Sequence, residues 1–467
     1  MTELHELTAT AMVRAVRARQ VSRRELVQAH LDRIQRLNDA INAIVELRAE
    51  QALDEADAAD RTAQDRSTLP LDGVPISVKD YFDVAGMKRT EGVRALADRR
   101  SAADSVAVGR LRAAGAIIVG KCNMPDFQVR WNTLSELYGP TRNPRDLRLS
   151  AGGSSGGDAA AVASGMAALG MGADEGGSIR LPAAFCGIYG LRPTPGRVPD
   201  VQTLPPLDNT PVLELARAVG PLARSVEDLW AALEVLAGHH PADLMAPPGQ
   251  GPWRVARPRP GQARVALLIH QAGATIAPEV EAVTRESAGI LRDAGYEVVE
   301  ADIPHIKRAA ELWDELLGTE FLEFSIPMIG PLFGASGRQH AELWARSRYL
   351  GDRLGPYLAA VVERHAVARE TALWMEEFPL VLSPVAGMPV PELEFDEYLT
   401  MDQMRRLSDQ MRNAVWVNTL SLPGVALPNG VQIVARRFHE EEALAAAAAL
   451  EHALGPVPIA TPGASRG

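Results

Sequence analysis

Lysine is scarce in this 467-residue chain: it stands only at positions 79, 88, 121 and 307, so arginine supplies 44 of the 48 basic side chains. A guanidinium stays charged, whereas a buried ammonium can lose its proton and act as a base. Each remaining lysine is therefore a candidate for proton chemistry. Two glycine-rich stretches could work with such an amine. The first, Gly152-Gly-Ser-Ser-Gly-Gly157, is either a flexible loop or the entry to a helix at Asp158-Ala-Ala-Ala-Val-Ala, whose free N–H groups would face a ligand. Its Gly153, Ser155 and Gly157 satisfy the Gly-x-Ser-x-Gly pattern of a nucleophile elbow, with Ser155 as the attacking hydroxyl. An elbow follows a buried strand, however, and Leu147-Arg-Leu-Ser-Ala is a poor one. No histidine lies between positions 31 and 238, so a partner would have to be His305 or His365. The second stretch, Ala173-Asp-Glu-Gly-Gly-Ser178-Ile-Arg180, sets two glycines before a serine. Successive N–H groups can then converge on one point, as a developing oxyanion requires. On that reading Ser178 is the nucleophile, and a plain tight turn is the alternative.

Other chemistries fit less well. The ten histidines include no His-Glu-x-x-His pattern, and Cys122 and Cys186 are 64 positions apart. The glycine-rich stretches lack the lysine of a phosphate loop, so neither a metal nor a cofactor is expected. Acidic side chains outnumber basic ones by 59 to 48, giving a formal charge of −11 with no basic run, which argues against a nucleic-acid partner. The longest apolar stretch, Ala159 to Ala173, is interrupted by Gly165, Gly170 and Gly172 and falls short of the roughly 20 residues that span a bilayer. The N-terminus reads as no secretory signal, and two cysteines make no disulfide framework, so a cytoplasmic location is expected.

The elements around these residues alternate between helix and strand. Ser22 with Glu25 forms a capping box for a helix whose Val27, Leu31, Ile34 and Leu37 share one face. Ile41 to Leu47 reads as extended and Glu50 to Arg61 as a surface helix. Val74 to Lys79 is a strand candidate; Asp104 caps a helix that Gly115 ends; Ala116 to Val119 is the next strand. Further strands are expected at Arg264 to Ile269, Tyr296 to Glu300, Leu380 to Ser383 and Val431 to Ala435. Helices are expected at Ser225 to Leu236, from Pro278, and over Glu441 to Leu454. Residues 239–262 read as a Pro-rich internal connector, and 308–378 as mainly helical. The class is α/β.

Taken together, Leu71-Asp-Gly-Val-Pro-Ile-Ser-Val-Lys79-Asp, Gly120-Lys-Cys-Asn-Met-Pro, the Gly-Gly-Ser-Ser-Gly-Gly run, Gly-Gly-Ser178-Ile-Arg-Leu-Pro-Ala-Ala-Phe-Cys-Gly and Gly190-Leu-Arg-Pro-Thr resemble the amidase signature family. The match is strongest over residues 7–236 and fainter to the C-terminus. The resemblance implies one domain over 1–467, with a signature core at about 70–200, a variable helical substrate region at about 308–378, and a large mixed central β-sheet covered by helices on both faces. It implies a Ser-Ser-Lys triad: Ser178 as nucleophile, Ser154 as bridging serine preceded by a cis peptide, and Lys79 as base. Backbone N–H groups of Glu175, Gly176, Gly177 and Ser178 would form the oxyanion hole, with Ser155, Asp174 and Arg180 in support. Glu175 stands where the family usually has Thr or Ile, and its carboxylate is expected to point away from that hole.

The expected activity is hydrolysis of a C–N acyl bond in a linear amide, anilide or carbamate, or of an ester, in a small molecule. Trp313, Phe321, Phe324, Met328 and Phe333 in the apolar segment Leu312 to Phe333 form either a lid favouring aryl groups or a core helix. Two alternatives compete: an esterase built on Ser155, and the glutaminase-type A subunit of a tRNA-dependent amidotransferase, which typically has Gln where this chain has Leu181. A non-catalytic scaffold is the third. A monomer or homodimer is expected, with no membrane partner.

Overall fold

In the computed structural model of this chain, which describes residues 3–62, 69–202, 204, 208–247, 261 and 263–462, Ser22 and Glu25 close the expected capping box at the head of the helix Arg23–Ile41. Val27, Leu31 and Ile34 of that helix are buried. The helix expected to begin at Asp104 starts one residue later: Ser105 Oγ accepts from the N–H of Val108, while Asp104 accepts from the N–H of Ala85. The shorter serine side chain reaches the first turn of its own helix, which frees the carboxylate to brace a neighbouring loop. The strand expected to end at Val119 runs on as Ile117–Cys122 and so includes Lys121.

Eleven strands form one mixed sheet. Their order is Ile44–Leu47, Ile117–Cys122, Pro75–Lys79, Leu169–Asp174, Ala218–Ala223, Tyr189–Arg192, Gly424–Ala426, Val431–Ala435, Leu380–Pro384, Arg264–Leu267 and Glu297–Glu300. Pairing is parallel from Ile117–Cys122 through Pro75–Lys79 to Leu169–Asp174, antiparallel across the centre, and parallel again among the last three. The strands Gly424–Ala426 and Val431–Ala435 lie in the middle, between partners from the first and second halves of the chain.

Helices cover both faces. Gly156–Ala163, Arg180–Cys186 and Arg412–Thr419 lie against one face, and Val226–Leu236, Pro278–Asp293 and Glu440–Leu454 against the other. Side chains alternate across a strand. Ile76 and Val78 enter the second of these cores, so Ser77 and Lys79 face the first, toward Gly156–Ala163. That helix approaches closely because the strand beneath it carries glycines: a Cβ at Gly170 would lie 3.0 Å from Asp158 Cβ, and one at Gly172 would lie 2.9 Å from Ser155 Oγ.

Residues 308–378 are mainly helical, as Ile306–Glu320, Ile326–Ile329, Ala335–Arg346 and Leu354–Trp374, with one π turn at Phe321–Ser325. Most of the connector expected at 239–262 lies outside the described residues. Among the described residues no helix is long and apolar enough to cross a membrane.

Candidate active site

Lys79 ends the strand Pro75–Lys79 and is fully buried. Its Nζ lies 2.7 Å from Ser154 Oγ and donates to Gln128 Oε1 at 2.7 Å. Burial lowers the ammonium to about 8, against the opposing pull of Glu175, Asp158 and more distant carboxylates. An amine so placed can donate to Gln128 and still offer its lone pair to the serine hydroxyl. Phe127 and Gln128 both adopt left-handed backbone, with φ of 46° and 67°, where the chain turns to present the amide.

Ser154 follows a cis Gly153–Ser154 peptide, and Ser155 sits at the N-cap of Gly156–Ala163. The N–H of Ser155 donates to the carbonyl of Ser178 at 3.1 Å, strapping the two serine-bearing turns together. Ser155 does not line the cavity described below, and its fully buried hydroxyl donates to Ala173 O at 3.2 Å and lies 3.3 Å from the donating N–H of Ala173. His305 meets Glu370 and His365 meets Val361 O, both on the exposed surface. The elbow reading built on Ser155 is thereby corrected.

Ser178 lines a cavity of about 160 Å³. The turn that carries it is held from both sides. Asp174 accepts from the N–H groups of Gly177 at 2.9 Å and Ile179 at 3.1 Å, while the indole N–H of Trp131 donates to Gly176 O at 2.9 Å and that of Trp313 to Glu175 O at 2.8 Å. A peptide's N–H and C=O point in opposite directions, so anchoring Glu175 O turns the N–H of Gly176 away from Trp313. Four donors were expected here and the structure removes one, because the N–H of Gly177 is committed to Asp174. Among the described residues no protein acceptor meets the N–H of Glu175, Gly176 or Ser178. Gly176 is required by the close indole, since a Cβ there would lie 2.4 Å from Trp313 Cζ2. If these anchors aim the donors, Trp131→Phe should lower kcat roughly five- to tenfold with little change in KM, matching the loss of about 1 kcal/mol of hydrogen bonding. An unchanged kcat would show that Trp131 does not position the turn.

Asp174 and Arg180 pair bidentately at 3.0 Å through both contacts. Arg180 also donates to Asn418 Oδ1 at 2.6 Å, Gln432 Oε1 at 2.8 Å and Ala414 O at 3.1 Å. Burial alone would raise the Asp174 carboxyl, but Arg180 and Arg192 hold it well below the usual range. The turn that carries Ser178 is thus fastened to the C-terminal part of the chain. Lys121 is structural, its Nζ bonded to the carbonyls of Phe82 and Lys88 and 3.4 Å from Asp80 Oδ1.

Glu175 does not point away. Its side chain lines the cavity, with Oε1 3.4 Å from Arg217 Nη1. Arg217 in turn binds Asp200 at 3.0 Å and Asn209 at 2.5 Å. The rest of the wall is largely apolar, with Phe127, Trp131, Leu317, Phe321 and Trp344. The segment expected as either lid or core contributes both to the cavity wall and to buried clusters. Trp313 and Phe321 line the cavity, Phe333 packs on Phe127 at 4.7 Å between ring centroids, and Phe324 and Met328 are exposed. Gln128, Trp131, Arg217 and Asn418 are site residues that no local pattern marked; only the fold brings them to the serines.

A protein-family model described as Amidase matches residues 25–444. Indoleacetamide hydrolase of Bradyrhizobium diazoefficiens is 33% identical over 456 residues, covering 94% of this chain and 85% of that protein. The A subunit of glutamyl-tRNA(Gln) amidotransferase from Chromohalobacter salexigens is 31% identical over 487 residues, covering 95% of this chain and 96% of that protein. The solved structure of 6-aminohexanoate cyclic dimer hydrolase complexed with substrate superposes with a TM-score of 0.83 at 29% identity and covers 98% of each chain.

Proposed function

The chain belongs to the Amidase family, and from that premise we propose that it cleaves amides bearing an apolar, aromatic portion through an acyl-enzyme on Ser178. The observation that carries this reading is the fully buried Lys79 amine 2.7 Å from Ser154 Oγ. Neutral Lys79 accepts the Ser154 proton as Ser154 takes that of Ser178, and Ser178 Oγ attacks the carbonyl. The N–H groups of Glu175, Gly176 and Ser178 receive the developing oxyanion. The proton returns along the same relay to the departing nitrogen, and water, activated by the same base, releases the acid. Anilides, primary amides, carbamates and esters differ here in the basicity of the leaving group and in how their halves fill the cavity. Turnover of one member of each class, together with covalent labelling of Ser178 by a serine-directed phosphonate, tests the proposal. Absence of labelling at Ser178 in active enzyme would remove it.

The relay requires Lys79 without its extra proton, so its lowered value sets the acid limb of the rate profile. Below about pH 8 the amine is protonated and cannot accept; above it the base is available. We expect kcat/KM to rise with unit slope and level off above a midpoint near pH 8. A midpoint near the ordinary lysine value would mean that this amine is not the base.

Whole-length identity to the A subunit of the amidotransferase favours a second reading, release of ammonia from glutamine. Recognition of a free α-carboxylate calls for an uncommitted cation. In the cavity wall Arg89 is bound to Glu91 and Asp83, Arg130 to Asp396, and Arg217 to Asp200. This pairing supports an uncharged or cationic substrate instead. Glutaminase turnover comparable to that of an aryl amide would reverse the order of the two readings.

A further inference from the structure

The arginines of the cavity wall are outnumbered by their own partners. Arg89 lies 2.7 Å from Glu91 and 2.9 Å from Asp83, Arg217 lies 3.0 Å from Asp200 and 3.4 Å from Glu175, and Arg130 lies 2.7 Å from Asp396. Three cations of the wall thus meet five carboxylates, of which Asp83 is shared with a fourth cation, Arg99, at 3.5 Å. Glu175 is the least engaged of the five. Its contact with Arg217 is the longest of those made by the three wall arginines, and that guanidinium is already occupied by Asp200 and Asn209. Its side chain keeps about a fifth of its surface open, in a wall that also carries the indoles of Trp131, Trp313 and Trp344 and the phenyl ring of Phe321. The Glu175 backbone is fixed by Trp313, so the carboxylate stands three positions before the nucleophile and cannot swing far from it.

Resting on the amide-hydrolase reading above, we infer that Glu175 is a specificity-determining residue that selects amides carrying a protonated amine, with the apolar part of the substrate lying against Trp313, Phe321 and Trp344. A carboxylate in a low-dielectric wall with too little positive charge around it gains most from a cation that the ligand brings. Burial also raises the Glu175 carboxyl, with Arg217 and Lys79 acting against it, as expected for an acid awaiting a counter-charge. Alkyl and anionic groups at the same place would leave that charge unmet or repel it.

The test uses two matched pairs of aryl amides, with a terminal ammonium replaced by an isosteric methyl on the acyl half in one pair and on the amine half in the other. In the wild-type enzyme one pair should favour the ammonium member by roughly tenfold or more in kcat/KM, an advantage that shrinks with added salt. Glu175→Gln should reduce that preference to within about twofold, and Glu175→Asp should keep most of it. Equal or better turnover of the methyl member in both pairs, or a preference that survives Glu175→Gln, overturns the inference. Ser178-dependent hydrolysis of the methyl members in those cases leaves the amide-hydrolase reading intact. Failure of all four compounds to acylate Ser178 strikes that reading first.

Discussion

Replacing Ser178 with alanine is expected to lower kcat/KM on the best amide by about 10⁵- to 10⁶-fold, while the protein folds and still binds substrate. The hydroxyl is the only group removed. Ser178 is nearly buried, and the turn around it is held by bonds that do not use its Oγ: Asp174 to the N–H of Gly177, Trp131 to Gly176 O, and Ser155 N–H to Ser178 O. Loss of activity without loss of thermal stability is therefore the signature of a nucleophile, and phosphonate labelling should vanish with it. A variant that keeps even a few per cent of the wild-type rate would mean that another group attacks.

The second large effect concerns the base. Lys79→Arg keeps a positive charge but cannot surrender a proton, so kcat should fall by roughly 10²- to 10⁴-fold. The pocket around Nζ is closed, so the larger guanidinium could disturb packing. Lys79→Met has similar length, removes the charge and leaves Ser154 without an acceptor; it should lose as much. The two variants fail for different reasons but share the absence of a neutral amine. Acid-limb behaviour separates them from a merely structural lesion: any residual activity should no longer follow the titration near pH 8. Full activity in either variant would exclude Lys79 from the relay.

The parts of the site that could be read from the amino-acid order are those that depend on local chemistry. Lys79 stood out because lysine is rare, and Ser178 because two glycines before a hydroxyl permit converging N–H groups. Orientation was harder to read. Glu175 turns into the cavity because Arg217, forty-two positions away in the chain, draws it there, and no neighbouring residue signals this. The N–H of Gly177 is withdrawn by Asp174, which curls back over three residues. Among the strands, Leu169–Asp174 escaped because Gly170 and Gly172 carry no β-forming side chain. Their absence of side chains is what lets the helix bearing Asp158 settle against the sheet. The strand Gly424–Ala426, three residues long, lies too near Pro423 and Pro428 for a periodic signal.

The position of Gly424–Ala426 and Val431–Ala435 between the two halves of the sheet also bears on biosynthesis. A ribosome releasing the first 400 residues has delivered both outer groups of strands but not the pair that joins them. Each group then presents an open rim of unpaired amides, and Arg180 has yet to meet Asn418 and Gln432. The growing chain must stay soluble without its central seam until residues 424–435 have been made, and the turn that carries Ser178 gains its last braces only after Asn418 and Gln432 have emerged.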